Sequence, residues 1–132
     1  MADNKEARVI DWDVQRHLAA SLPVIVVQHS SQRIVWSNQR VESLFGCNVS
    51  LGLHLHGFDH LMPERFRAGH DMFWNSFWEN PQTRLMSNIR IPCRRFDASE
   101  FDAVLLLMPV AFGGEMCCTV AFLPLDDSPS KR

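Results

Sequence analysis

The chain has 132 residues, of which 46% are hydrophobic and 21% are charged, and its formal net charge is -2. This is the composition of a single globular domain, long enough to bury a core without disulfides or metals. The charge offers no basic surface for nucleic acid, and no run approaches the ~18 apolar residues that cross a bilayer. Because the first residues also lack the apolar core of a signal peptide, we expect a cytoplasmic protein.

The first third of the chain predicts a helix, a hairpin and a second helix. Residues 10–22 place apolar side chains at helical spacing and predict an amphipathic helix. Two β-branched runs, 24–28 and 33–37, are joined by the turn-forming "HSSQ" and predict an antiparallel hairpin. Asn38 is a favoured N-cap for a helix over "QRVESLF", which Gly46 then ends.

The remainder predicts one long helix and three strands. Pro63 is a favoured first-turn residue, and the helix is expected to run to about Glu79, just before a proline that disfavours helix. Two turn-prone segments, "RRFDASE" and "AFGGE", then separate three apolar runs. These runs predict strands at about 84–93, 101–109 and 116–123.

The order of elements predicts an α+β fold, with an antiparallel sheet that carries helices on one face. We divide the chain into an N-terminal flanking helix (1–22), a domain (23–124) and a disordered tail (125–132). The last two strands are apolar on both alternating faces, whereas a sheet wetted on one side should alternate. The second face therefore needs a cover, either the chain's own flanking helix or that of a partner, and we expect a homodimer through that helix and the outer sheet face.

The long helix combines an aromatic stripe with one imidazole. At about 100° per residue, four aromatic side chains fall on one side of this helix, with His70 between them. They are Phe66, Phe73, Trp74 and Phe77. Such a stripe serves either as ordinary core or as the wall of a cofactor pocket, and His70 is either packed or a ligand.

Three segments, in this order, carry a family resemblance over residues ~20 to 124. They are "RIVWSNQRVESLFG", "HLMPERFRAGHDMFW" and "RRFDASEFDAVLLL". Together they resemble the PAS domain, the sensory module of bacterial signalling proteins, although Phe96 and Ala98 replace the Lys and Gly of the family pattern. The resemblance implies a five-stranded antiparallel sheet and a pocket between that sheet and the long helix. It also implies a signalling role beside an effector domain or partner protein, with haem, a flavin, a small organic ligand or nothing in the pocket.

The segment "PERFRAGHD" is most similar to the corresponding helix of haem-binding, oxygen-sensing PAS domains of the FixL type. This resemblance implies that His70 is the axial ligand of haem b, for gas or redox sensing. Those sensors also carry two arginines that the sequence does not reproduce at the matching positions. Ser76 stands at one of them, and Ile89 stands at the other with Arg90 one residue further on. A shift of one residue in a strand turns a side chain to the opposite face.

Other arrangements stay open. Trp36 on the second strand either packs in the sheet or lines the pocket, where it would stack on a flavin; the cysteine-containing helix of light-sensing flavin domains is absent. Met108, Met116 or Cys93 would supply a sixth haem ligand if their strand faces point inward. A pocket filled by its own aromatic side chains would leave a dimerisation or protein-interaction module.

Two further predictions concern metals and catalysis. The loop "HLHGFDH" offers His54, His56 and His60 with Asp59 as a possible metal site, at a spacing that matches no standard one. No nucleophile or phosphate-binding motif is present, so we expect no enzymatic activity. The four cysteines contain no CxxC pair and are expected to be reduced, with Cys117 and Cys118 on opposite faces of a strand.

Overall fold

The computed structural model of the chain describes residues 12–46 and 57–125. Its three α-helices are α1 (Trp12–Ser21), α2 (Gln39–Phe45) and α3 (Arg67–Glu79). Its five strands are β1 (Val24–Gln28), β2 (Ile34–Ser37), β3 (Arg84–Arg94), β4 (Glu100–Phe112) and β5 (Glu115–Pro124). Two 3₁₀ turns, Phe58–Leu61 and Glu64–Phe66, lead into α3.

The strands form one antiparallel sheet in the order β2-β1-β5-β4-β3. The predicted α+β class and the five-stranded sheet are therefore confirmed. Because β1 pairs with β5, the N-terminal hairpin and the C-terminal meander share a single sheet, and α2 and α3 lie between them in sequence. The outer strands of this order, β2 and β3, are the two edges of the sheet.

Local signals fix the ends of these elements. The side chain of Asn38 caps α2 by accepting from the Val41 amide, and Gly46 ends that helix in the left-handed conformation, with φ 72°. Gly113 and Gly114 both have positive φ and close the two-residue β4–β5 hairpin between Phe112 and Glu115. A two-residue hairpin of this handedness favours glycine because no other residue adopts positive φ so cheaply.

Both faces of the sheet carry buried side chains. The inner face packs Ile25, Cys118 and Val120 against the aromatic side chains of the helices. On the outer face, Val26, Val110 and Cys117 form a second buried cluster, and partly buried side chains pack against it: Val35, Trp36 and Phe112. The outer face is thus buried within the single chain near β1, and it is more exposed near β3, where Leu85 and Leu123 are 54% and 36% exposed. Helix α1 contacts β5. Cys117 and Cys118 face opposite sides, as predicted.

Some boundaries differ from those predicted. The long helix begins at Arg67 because the residues after Pro63 form a 3₁₀ turn first, and β4 is longer at its C-terminal end than expected. The predicted disorder of the tail falls mostly on residues 126–132, which lie outside the described residues. None of the helices in the described part of the chain is long and apolar enough to span a membrane.

Candidate functional site

A cavity of about 360 Å³ lies between the inner face of the sheet and α3. Its size is within the range of small-ligand sites. Most of its wall is aromatic or aliphatic, and the lining side chains that carry N–H or S–H groups are those of His70, Trp74, Arg90 and Cys118. The lining residues are Phe58, Met62, Phe66, Gly69, His70, Phe73, Trp74, Phe77, Met86, Ile89, Arg90, Ile91, Pro92, Leu105, Leu107, Cys118 and Val120.

The helical wall is the aromatic stripe that the sequence predicts. Side chains three and four positions apart on a helix share a face, so the stripe of α3 and the turn before it meet the cavity together. Trp74 and Phe77 are almost fully buried, whereas Phe66 is 43% exposed and forms part of the rim. All four predicted aromatic residues line the cavity.

His70 lies among aromatic rings in this wall. Its ring centroid is 4.9 Å from that of Phe58 and 5.8 Å from that of Trp74. Burial lowers the pKa of His70 below its usual 6.5, while the carboxylates of Asp71 and Asp59 act in the opposite direction. Its buried Nδ1 has no hydrogen-bond partner among the described residues. A neutral imidazole with an unused nitrogen is suited to bind a metal.

The opposite wall contains an irregularity in β3. Met86 pairs with Leu105 and Ile91 pairs with Ala103, so five steps along β3 match two steps along β4. Three extra residues therefore bulge from the edge strand, and the simple alternation of side chains does not apply there. As a result, both Ile89 and Arg90 line the cavity. Both candidate pocket residues on β3 therefore lie at the cavity, whereas a regular strand would turn only one of two neighbouring side chains toward it.

Trp36 does not line the cavity. It pairs with Val26 in the β1–β2 ladder and packs with the outer-face cluster that contains Val110. Paired residues of a ladder share a face of the sheet, and Val26 belongs to the outer face. The expectation that Trp36 lines the pocket or stacks on a flavin is therefore wrong.

The possible sixth ligands are also placed away from the cavity. Met108 pairs with Thr119 on the outer face, and Met116 is not among the lining residues. Cys93 faces the inner core but does not reach the cavity, and burial raises its pKa to about 12.

Ser76, which replaces one arginine of the haem sensors, is exposed on α3.

The histidine-rich loop gives no metal site in the part that the structure describes. His60 and Asp59 are exposed, and His54 and His56 lie outside the described residues. Within residues 12–46 and 57–125, no group of three or more His, Cys, Asp or Glu side chains is placed to hold a metal ion.

Sequence reasoning missed the contribution of the sheet to the cavity. Leu105 and Leu107 on β4, and Cys118 and Val120 on β5, line it at the two-residue spacing of a strand face. That spacing was visible in the sequence, but both faces of these strands are apolar. Only the strand order showed which face meets α3.

A hydrogen-bonded aromatic cluster joins the cavity wall to the β1–β2 turn. The indole Nε1 of Trp74 donates to the carbonyl of His29 at 3.1 Å. One turn further along α3, the ring of Trp78 stacks on the His29 imidazole with a centroid distance of 4.1 Å and an interplanar angle of 14°. Because Trp74 lines the cavity, this cluster connects the cavity to the sheet.

The lining residues fit some ligands better than others. Haem has a flat apolar macrocycle and needs an axial ligand, and the aromatic wall and the His70 imidazole offer both. A flavin presents several ring nitrogens and carbonyls that lose their water on burial. Among the described lining side chains, the N–H groups are those of His70, Trp74 and Arg90, and the indole N–H of Trp74 is already used by His29. Burial raises the pKa of the Cys118 thiol to about 12, so this side chain stays neutral. The described wall therefore offers haem an apolar surface and an imidazole, and it offers a flavin ring few side-chain hydrogen bonds.

Comparison with solved structures identifies the fold. The chain resembles the PAS domain of a protein from Desulfitobacterium hafniense, with a TM-score of 0.66 and 10% identity over 79% of this chain and 92% of that one. It resembles the PAS domain of an HTR-like protein from Haloarcula marismortui, with a TM-score of 0.65 and 17% identity over 86% and 93%. It also resembles the LOV protein of Rhodobacter sphaeroides, with a TM-score of 0.66 and 14% identity over 92% of this chain and 72% of that one. The chain therefore has the PAS fold.

No protein-family model and no curated protein matches the chain. At identities of 10–17%, the similarity to these structures establishes the fold alone. The ligand of the cavity has to be argued from its own residues.

Proposed function

We propose that this protein is a cytoplasmic PAS sensory domain whose cavity binds haem b, with His70 as the axial ligand. The observation that carries this proposal is the imidazole of His70, which stands in an aromatic wall with a buried ring nitrogen that no described residue satisfies. Burial lowers the His70 pKa, so the imidazole is neutral and keeps a lone pair near neutral pH.

When bound, haem would supply an iron centre that responds to a diatomic gas or to redox state. The chain's own residues would set the conditions for that response. The rings of Phe58 and Trp74 both pack against the His70 ring, and Phe73 and Phe77 continue an apolar wall that excludes water. A dry, apolar surrounding is one of the means by which proteins tune such a centre.

The aromatic cluster of Trp74, Trp78 and His29 would transmit a change in the cavity to the sheet. A displacement of Trp74 would change its hydrogen bond to His29, whose amide in turn donates to the carbonyl of Met116 at 3.0 Å. The β1–β2 turn and the beginning of β5 would then move together. We propose that occupancy of the cavity reaches the sheet, and from there an effector domain or partner protein, along this path.

A visible spectrum after reconstitution with hemin tests the haem proposal. We expect a Soret band that is lost in His70→Ala. The matched control is His60→Ala, which removes an exposed histidine near the cavity and should leave the band unchanged. A flat spectrum, or a band that survives in His70→Ala, would show that His70 does not bind haem.

A flavin is the alternative cofactor. Structures similar to this chain include one described as a study of a flavin analogue in a Light-Oxygen-Voltage domain. Among the described lining residues, few side chains are polar, whereas a flavin ring presents several polar groups, so we favour haem. Yellow colour in the purified protein would reverse this preference.

A homodimer is the form of assembly that we propose. Four leucine and valine side chains remain partly or largely exposed on the outer face of the sheet, toward β3. They are Leu85, Val104, Leu106 and Leu123. Ladder pairs between β3, β4 and β5 place them on one side. A second copy of the chain would bind to this outer patch and to α1. The same patch would bind a partner protein if the domain is a ligand-free interaction module.

A further inference from the structure

The charged residues around the cavity indicate what kind of ligand it accepts. We propose that the cavity binds amphipathic anions, with an apolar body against the aromatic wall and a carboxylate at Arg90. This inference rests on the proposed role of the cavity as a ligand site, but it does not require that the ligand is haem. The carboxylate could belong to a haem propionate or to a free fatty acid, and the experiment below separates the two.

The rim is apolar where the cavity meets the surface. Phe66, in the turn before α3, is 43% exposed, and Ile89, in the bulge of β3, is 52% exposed. Both residues also line the cavity. Large hydrophobic side chains exposed on both sides of a cavity are characteristic of a ligand entrance rather than of a closed core.

Three arginines flank this side of the cavity, and their charges are balanced to different degrees. Arg65 is neutralised, because both of its terminal nitrogens contact the Glu100 carboxylate, at 2.7 and 2.9 Å. The Arg84 guanidinium lies 6.0 Å from the centroid of the Phe77 ring and makes no ion pair with any described residue. Positive charge therefore remains at the β3 side of the cavity.

Arg90 has only a loose partner. Its Nη1 is 3.7 Å from Oδ2 of Asp102, and the two side chains are 57% and 41% exposed. Exposed pairs at such distances contribute little and exchange readily. Arg90 also belongs to the bulge of an edge strand and lines the cavity. A ligand carboxylate at the entrance would thus compete with Asp102 for the guanidinium and could bind it through two parallel hydrogen bonds.

The acidic groups nearby do not cancel this charge. Asp59 and Asp71, the carboxylates that act on His70, are exposed and belong to the helical side of the cavity. On the β3 side, Glu100 is held by Arg65, and Asp102 is the loose partner of Arg90. The arrangement favours a ligand whose negative end lies toward β3 and whose apolar end lies toward α3.

The test uses three probes that share one decyl chain and differ in charge: decanoate, decanol and decyltrimethylammonium. Binding to the full chain would be measured by the change in tryptophan fluorescence, because Trp74 lines the cavity. We expect decanoate to bind roughly tenfold more tightly than decanol, as for a hydrogen bond to a charged group, and the cation to bind most weakly. Equal affinities for decanoate and decanol, or no binding of any probe, would overturn the proposal.

Three variants locate the carboxylate. Arg90→Gln should bring the affinity for decanoate down to that for decanol and leave decanol unchanged. Asp102→Asn removes the competing carboxylate and should tighten decanoate binding by about two- to fivefold, the value of an exposed ion pair. Arg94→Gln, the same charge change on β3 at a residue that does not line the cavity, is the control. A loss in Arg94→Gln equal to that in Arg90→Gln would mean that only net charge matters.

Hemin and its dimethyl ester separate this inference from the haem proposal. If hemin gives a His70-dependent Soret band, and hemin and its dimethyl ester both bind equally well to the wild type and to Arg90→Gln, the anion site is wrong and the haem ligand stands. If decanoate binds through Arg90 and hemin gives no band, the haem proposal fails and the fatty acid is the source of the carboxylate. Competition between decanoate and hemin, each sensitive to Arg90→Gln, would support both.

Discussion

At the residue scale, the properties of His70 and Ala98 depend on the groups that surround them. His70 acquires its lowered pKa and its unsatisfied Nδ1 from the aromatic rings around it. Ala98, in the β3–β4 turn, has φ 75°, in the left-handed region that costs an L-residue about 1–2 kcal/mol. The turn is held by Asp97, whose carboxylate accepts from the backbone amide and the hydroxyl of Ser99. The chain therefore keeps an alanine in a conformation that glycine would adopt without strain.

Ala98→Gly is expected to stabilise the protein by about 0.5–1 kcal/mol. The gain from relieving the left-handed strain exceeds the extra entropy that glycine has in the unfolded chain. Urea unfolding would measure it. The control is Ala111→Gly, at an exposed position in β4. This substitution should destabilise the protein by about 0.5–1 kcal/mol, because glycine in a strand loses more conformational entropy on folding than alanine does. Destabilisation in both variants would contradict the assignment of strain to Ala98.

At the scale of elements, Asn38 joins three neighbours. Its Oδ1 accepts from the amides of Val41 and Val24, and its Nδ2 donates to the carbonyls of Ala19 and Leu22. The residue therefore caps α2, holds the start of β1 and satisfies the C-terminal end of α1. Its sequence position predicted the cap alone, because the other partners are 14 to 19 residues away.

Asn38→Ala should destabilise the domain by about 2–3 kcal/mol, since it removes a helix cap and leaves partly buried amides and carbonyls without partners. Asn38→Asp keeps the acceptor but loses the donor, so an intermediate loss is expected. Chemical denaturation of both variants would give these values. Asn80→Ala, at the exposed end of α3, is the control and should change stability little. A loss in Asn38→Ala no larger than that of an ordinary cap would show that the contacts with α1 contribute nothing.

At the scale of the whole molecule, the sheet divides the chain into two compartments. Its inner face and α3 enclose the cavity, while its outer face is covered near β1 and open near β3. Leu85 and Leu123, in the outer patch, are 54% and 36% exposed. An apolar patch on a sheet face that is otherwise buried is a natural contact for a second copy.

If the proposed homodimer forms through the outer patch, we expect Leu85→Glu to convert it into a monomer at micromolar concentration, because the substitution places a charge in this apolar patch. Sedimentation velocity would measure this, and circular dichroism would check that the variant is folded. Met72→Glu is the control, since Met72 is 77% exposed on α3, away from the outer patch. A wild-type monomer, or a dimer unaffected by Leu85→Glu, would rule out this interface.

The sequence by itself determined the elements and much of the helical wall. Apolar periodicity, the cap at Asn38 and the glycines at the turns are local signals, so they located α2, the hairpins and the aromatic stripe of α3 to within a few residues. The PAS resemblance supplied the sheet and the position of the cavity. These features rest on neighbouring residues or on a pattern spread along the whole chain, and both are visible without coordinates.

Only the tertiary structure decided which strand residues face the cavity. Both faces of β4 and β5 are apolar, so alternation could not choose between them, and Trp36 lies on the outer face because it pairs with Val26. The bulge in β3 brings Arg90 to the cavity against the alternation of a regular strand. Bulges and strand order arise from pairing between segments that are distant in sequence. The free energy of that pairing depends on both partners, so the sequence of one segment alone does not predict it.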